Sequence, residues 1–225
     1  MATASVILNK AALTLKDPEY VRWSKDELLD WISEAQVAIA RTPGAYSITR
    51  VIPLVEGTKQ SLPEDAWALV TVSRNFEDEE TPLTPVRLVT RALLDASLPN
   101  WHFAPERQLV ENYVYDERYP RVFFVYPPND GNGLVEAVYQ GIPKKVTSES
   151  QELVLDDSFL PAILSYVLFR AFSKDSDYAP GAQSAASYFQ AYNQELTAAV
   201  QARSLTTPNA SLGNEGPTNP TGGTE

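Results

Sequence analysis

Catalysis in this chain would have to come from carboxylates. The 225 residues contain no cysteine and one histidine, His102, which excludes disulfides, thiolate nucleophiles, thiolate metal sites and a histidine metal cluster within one chain. Three acidic groups deserve a test. "EDEE" at 77–80 is the densest, yet consecutive acids on a loop point in different directions and lack the focused geometry of a paired acid and base, so a solvated loop is expected. Asp156 and Asp157 stand where a helix begins, and opposing its positive end accounts for both. "DSD" at 175–177 offers oxygens to Ca²⁺ or Mg²⁺, but no glycine-centred loop with a closing Glu follows, so no metal is expected.

His102 lies in "PNWHFAP" beside Trp101 and Phe103 and reads as a histidine tucked against aromatic packing. A triad would need a serine elbow, and no G-x-S-x-G occurs. Walker A and G-x-G-x-x-G loops are absent too, so phosphate-cradling chemistry has no seat. "NAS" at 209–211 matches a glycosylation acceptor but lacks a secretory context. Arg118 and Arg121 flank "YP", and Lys144 and Lys145 follow "GIP"; neither pair belongs to a longer positive strip, so both are expected to be ion-pair partners. No catalytic, cofactor or metal residue is assigned.

The elements that would position any site follow from periodicity. "TASVILNKAALTL" is apolar at helical spacing until "KDP" ends it, giving a helix over about 3–16. Ser24 with Glu27 forms a capping box for a helix over about 24–41, whose stripe is Leu28, Trp31, Ile32, Ala35 and Ile39. The period then changes. "YSITRVIPLVEGTKQSLP" and "WALVTVSRN" read as strands, with Gly57 at a hairpin turn and Pro53 marking an edge or a bulge. "VRLVTRALLDASLPNW" reads as a short strand leading into a short helix, and "LVENYVYD", "RVFFVYPP" and "LVEAVYQGIP" as three more strands. "PPNDGNG" is dense in turn formers and is expected to be an exposed hairpin tip.

Helical spacing returns over about 157–173, capped by Asp157 or Ser158 with Pro161 in its first turn, and again over about 181–203. The last helix is mild in composition, with small residues that allow close approach to neighbours. This order predicts an α+β fold: a helical bundle formed by the N- and C-terminal helices, an inserted antiparallel β layer over about 46–155, and an extended C-terminal tail. The domain is expected to span 1–204 and the tail 205–225. That tail holds no aromatic, Lys or Arg. It buries too little to offset roughly 1 to 2 kcal/mol of backbone entropy per ordered residue, so it is expected to order only on a partner.

Bulk properties narrow the class. Hydrophobic residues at 44% are ordinary for a globular protein. No run approaches a membrane span and the start is a poor signal peptide, so a protein intracellular when made is expected. A net charge of −11 argues against sequence-independent nucleic-acid binding, though an acidic wall remains compatible with DNA sliding past.

The succession "RWSKDELLDWISEAQVAIA", "VIPLVEGTKQSLPEDAWALVTVSRN", "NYVYDERYPRVFFVYPP" and "VEAVYQGIP" resembles the head-to-tail adaptor (connector) proteins of tailed bacteriophages. The matching positions are Trp23, Glu27 to Trp31, Gly57 to Pro63, and in the strand region Tyr115, Asp116, Pro120, Phe123 and Val125 to Pro128. The likeness spans roughly residues 5–203. It implies a structural virion protein without enzymatic activity or cofactor, made in the host cytoplasm and placed at the head–tail junction. Copies, typically twelve, would form a ring that docks under the portal, meets tail or nozzle proteins, and lets packaged double-stranded DNA pass through without specific binding; no membrane is implied. Tyr115, Arg118, Arg121 and Tyr126 are the expected subunit or tail contacts. The tail, through Leu205, Pro208, Leu212, Pro217 and Pro220, is expected to bind the portal, an assignment on which the family pattern says little. A tail-completion or tail-tube protein is the alternative in the same class. From other classes come a carboxylate or metal-dependent intracellular enzyme and a monomeric binding module.

Overall fold

The computed structural model describes residues 1–174 and 179–205. The helices are α1 (Ala4–Leu15), α2 (Lys25–Ala40), α3 (Arg91–Ser97), α4 (Leu160–Lys174) and α5 (Ala179–Leu205). The strands are β1 (Ser47–Pro53), β2 (Gly57–Ser61), β3 (Ala66–Phe76), β4 (Pro82–Pro85), β5 (Arg87–Leu88), β6 (Asn112–Tyr115), β7 (Val122–Asn129) and β8 (Leu134–Gly141). The fold is thus mixed α+β. The chain divides into two compact units, Met1–Gln36 with Lys145–Glu225, and Val37–Lys144.

In the first unit, α1 ends at Lys16, which adopts the left-handed conformation with φ 54°. The Asp17 carboxylate then accepts backbone N–H groups from Val21, Arg22 and Trp23 at 2.9, 2.9 and 3.1 Å, so the expected stop at "KDP" becomes a hydrogen-bonded loop leading to α2. Half of the expected capping box forms. Glu27 N–H donates to Ser24 Oγ at 3.3 Å, while the Glu27 carboxylate turns away to accept from Lys174 of α4 at 2.8 and 2.9 Å. The predicted α2 stripe, Leu28, Trp31, Ile32, Ala35 and Ile39, is buried throughout.

Residues 145–156 run as irregular chain held by side chains of α2. Val146 N–H donates to Ser33 Oγ at 2.9 Å, and Val154 N–H donates to Oε1 of Gln36, itself 1% exposed, at 3.0 Å. Leu153 and Leu155 point into the interior. The cap expected at Asp157 or Ser158 falls one residue earlier. A 3-10 turn over Asp157–Phe159 precedes α4, and Asp156 accepts the Ser158 N–H at its start. Asp157 instead accepts the Ala2 N–H at 2.9 Å. Helices α4 and α5 meet through three aromatic rungs in opposite chain order: Tyr166 with Tyr192 at 5.3 Å, Phe169 with Phe189 at 5.0 Å, and Phe172 stacked on Tyr188 at 5.4 Å.

The second unit is built from two four-stranded sheets, ordered β1-β8-β3-β4 and β2-β7-β6-β5. All pairings are antiparallel except β5 with β6. Ile52, Leu69, Val72, Tyr113, Phe123, Val125, Val135 and Tyr139 from both sheets form one buried core. Pro53 does lie on an edge strand, since β1 pairs only with β8.

Two expected hairpins are absent. β1 and β2 belong to different sheets, so Gly57, with φ 91°, opens β2 opposite Asn129. β7 and β8 also belong to different sheets, so "PPNDGNG" is a corner between them with a buried hub, Asn129, at 0% exposure. Its amide donates to the Arg107 and Gln108 carbonyls at 3.1 and 2.8 Å, and its oxygen accepts from Gly131 and Gly133 N–H at 2.9 and 3.1 Å. A Cβ on Gly133 would collide with the Asn129 side chain and the Gln108 carbonyl, so the corner requires glycine there. β4 was not foreseen; prolines at both ends hide it from strand propensity.

Candidate functional site

Side-chain alternation on β6 and β7 divides their residues between two faces. Tyr113, Phe123 and Val125 enter the sandwich core. Val114, Phe124 and Tyr126 belong to a separate apolar cluster with Leu94 of α3 and Trp101 of a short 3-10 turn, Trp101–Phe103. Trp101 is held in place by donating from Nε1 to Asp95 at 2.8 Å. That bond is the main reason the Asp95 carboxyl sits below its usual range, with Arg91 adding to it. His102 stacks on Trp101 at 3.6 Å and bonds Thr58 Oγ1 through Nδ1 at 2.8 Å, the aromatic packing expected for it. Burial pushes the His102 pKa down, and the Arg91 charge adds to the shift.

A groove of about 720 Å³ opens on this sheet. Its apolar lining comes from Leu88 and Val89, from Val114, Val122 and Phe124, and from Tyr115 and Tyr119. Leu88 and Tyr119 are 63% and 65% exposed, large apolar surfaces of the kind that mark contact sites. Register supplies the geometry: Val114 stands opposite Phe124 on β7, and Lys59 of β2 flanks Phe124 on the other side.

Of the four expected contact residues, Tyr115 and Arg118 line the groove. The Tyr115 hydroxyl donates to the Pro120 carbonyl at 3.2 Å, and burial raises its pKa. Arg118 forks onto Asp116, with Nη2 at 2.7 Å and Nε at 3.0 Å, which lowers the Asp116 pKa and agrees with the ion-pair expectation. Tyr126 packs in the Trp101 cluster instead, and Arg121 donates to the Pro63 carbonyl at 3.1 Å. Sequence reading missed Leu88, Tyr119 and Phe124 as one surface. Only the parallel pairing of the two-residue β5 with β6 brings Leu88 beside Tyr113, and nothing in the local pattern announces it.

The lining contains no histidine, serine or cysteine, and one of its two carboxylates, Asp116, is engaged by Arg118. "EDEE" is a turn in which Asp78 accepts the Glu80 and Thr81 N–H groups. Lys145 pairs with Asp30 at 2.8 Å. Among the described residues no three His, Asp or Glu converge on a metal-sized site, and no helix is long and apolar enough to cross a membrane. "DSD" at 175–177 lies outside the described residues, as do Pro208, Leu212, Pro217 and Pro220; Leu205 is the last residue of α5.

No curated protein matches the sequence. A family model described as "SU10 adaptor protein" matches residues 2–212. That span takes in all of the second unit, most of the first and the motifs behind the resemblance, and the chain therefore belongs to this family of phage head-to-tail adaptor proteins.

Proposed function

We propose that this protein is a structural, non-catalytic component of the virion at the head–tail junction, forming a ring of copies, twelve in number, that docks under the portal and bridges it to the tail. The observation that carries this reading is the family match across residues 2–212. In this reading the terminal helices form the bundle that stacks around a DNA channel, and DNA passes without specific binding because the chain is acidic, at −11. The β unit presents the groove to a neighbouring subunit or a tail protein. Tyr115 and Arg118 stand at the contact, and Arg121 and Tyr126 support the same sheet. Residues 205–225 form a strap to the portal through Leu205, Pro208, Leu212, Pro217 and Pro220, with main-chain hydrogen bonds supplying much of the contact. Repetition around a ring multiplies the effective affinity of each weak strap.

The test is native mass spectrometry of the protein with its phage's purified portal ring, using the full chain and a truncation ending at Arg203. Stoichiometric loading by the full chain and weak loading by the truncation support adaptor and strap together. Equal loading keeps the adaptor and discards the strap. Loading by neither moves the assignment to a tail-completion protein. Tyr119→Asp, which places a charge in the groove, is expected to leave portal loading intact and abolish recruitment of the next tail component.

A further inference from the structure

Helix α5 carries 27 residues and is about 40 Å long. Every exposed side chain described on it is uncharged. Its charged residues among those described, Glu195 and Arg203, are both half-buried, and Arg203 lies over the Phe159 ring and near Asp156. A chain that carries −11 and is 21% charged puts no Lys, Arg, Asp or Glu on the outer face of the longest helix among its described residues. Solvated helices normally display charges there, often as stabilising pairs one turn apart. Depletion of charge is instead the compositional mark of the central part of a protein–protein interface.

The arrangement of these residues is ordered. At 100° per residue the exposed positions cover an arc of about 220°, wider than one neighbouring helix can occupy. Along the middle of that arc run longer polar side chains, Gln183, Gln190, Thr197 and Gln201. One flank carries Ala182, Ala186 and Asn193, with Phe189, 45% exposed and packed on Phe169, at its outer edge; the other carries Ser187, Ala198 and Ala202, with Gln194 on its inner side, and the alanines and serine let a second backbone come close.

We infer that α5 packs flank to flank against α5 of second copies of this chain, one copy on each side, leaving the glutamine row uncovered. This rests on the ring reading and gives it an interface. Charge selects the occupant. A foreign partner recognised electrostatically by a −11 protein would be basic and would meet a charged face, whereas two copies of the same acidic chain approach most readily where neither carries charge. Two separated flanks on one helix are what a closed ring needs, since each copy must touch two neighbours through different surfaces.

The test is sedimentation equilibrium of the full chain up to about 1 mM, with Ala186→Glu on one flank, Ala198→Glu on the other, and Gln190→Glu in the middle row as a control of equal charge. All three sites are exposed and glutamate is a good helix former, so helicity and Tm are expected to stay at the wild-type values. Wild type and Gln190→Glu are expected to associate, and each flank variant to weaken association about tenfold or more. The inference is overturned if the wild type is monomeric at 1 mM, if all four chains associate alike, or if Gln190→Glu weakens association as much as the flank variants. Portal loading separates the two ideas. Flank variants that load as densely as a loading wild type overturn α5 packing and leave the adaptor reading standing. A wild type that never loads overturns the adaptor reading, and sedimentation still decides the α5 inference.

Discussion

Helices α2 and α5 finish their outer faces in opposite ways. All the exposed residues of α2, Lys25, Asp26, Asp30 and Glu34, are charged, and three of them are paired: Lys25 with Glu149 at 2.9 Å, Asp30 with Lys145 at 2.8 Å and Glu34 with Arg170 at 3.4 Å. The exposed side of α5 has no charge at all among its described residues. The α2 surface is closed within its own chain. The α5 surface has small, amide and hydroxyl side chains with Phe189 at one edge, which cost less to desolvate than charges do. Substitutions on α2 should therefore register in stability, and substitutions on α5 in assembly.

The largest effect should come from the buried side of α2. Ile32→Ala, at a site with 0% exposure, is expected to lower unfolding free energy by about 2 to 5 kcal/mol in urea titration, the usual range for a truncated core aliphatic. A loss under about 1 kcal/mol would show that α2 is not a stability element. Gln36→Ala comes next: it leaves the Val154 N–H without its acceptor and should cost about 1 to 3 kcal/mol, with faster amide exchange at Val154 but not at Phe123.

A pH experiment sharpens the contrast further. The Asp17 carboxyl before α2 is held below its ordinary value of 3.8, chiefly by the Trp23 N–H with those of Val21 and Arg22 helping. Its folded pKa is depressed, so its stabilisation is present above the unfolded value and is lost as pH falls through the folded one. Protection of the Val21 to Trp23 amides, relative to their intrinsic exchange, should fall below about pH 4, and Asp17→Asn should show reduced protection already at pH 7. Exchange in the middle of α5 should not respond to the substitution. The smallest effect is the most telling: Gln190→Glu on α5 should change stability by no more than about 0.5 kcal/mol. A clear stability loss there would mean the neutral face already has a structural role in the single chain.

What the sequence disclosed tracks how local each signal was. The α2 stripe was readable because Leu28, Ile32 and Ile39 recur at the helical period, and all three are buried. The mildness of α5 was readable too, though its division into flanks and a glutamine row needed the burial pattern. The two false hairpins share one cause. Gly57 and "PPNDGNG" carry the same turn chemistry whether a chain doubles back within a sheet or crosses to another, and the choice was made by pairing β1 with β8 and β2 with β7, far apart in sequence. Asn129 was read as a turn former because its partners, the carbonyls of Arg107 and Gln108, lie over twenty residues earlier. The groove stayed hidden because β5 contributes two residues, too few for any period to show.

The Asn129 corner has a mechanical consequence. β7 borders the groove, and only residues 130–133 separate it from β8, a central strand of the other sheet. Tension applied to anything seated in the groove would reach that corner along the covalent chain. There one side chain makes four hydrogen bonds, two to the carbonyls of residues 107 and 108 and two within the corner itself, so the crossing is pinned to a second stretch of chain rather than left as a free loop.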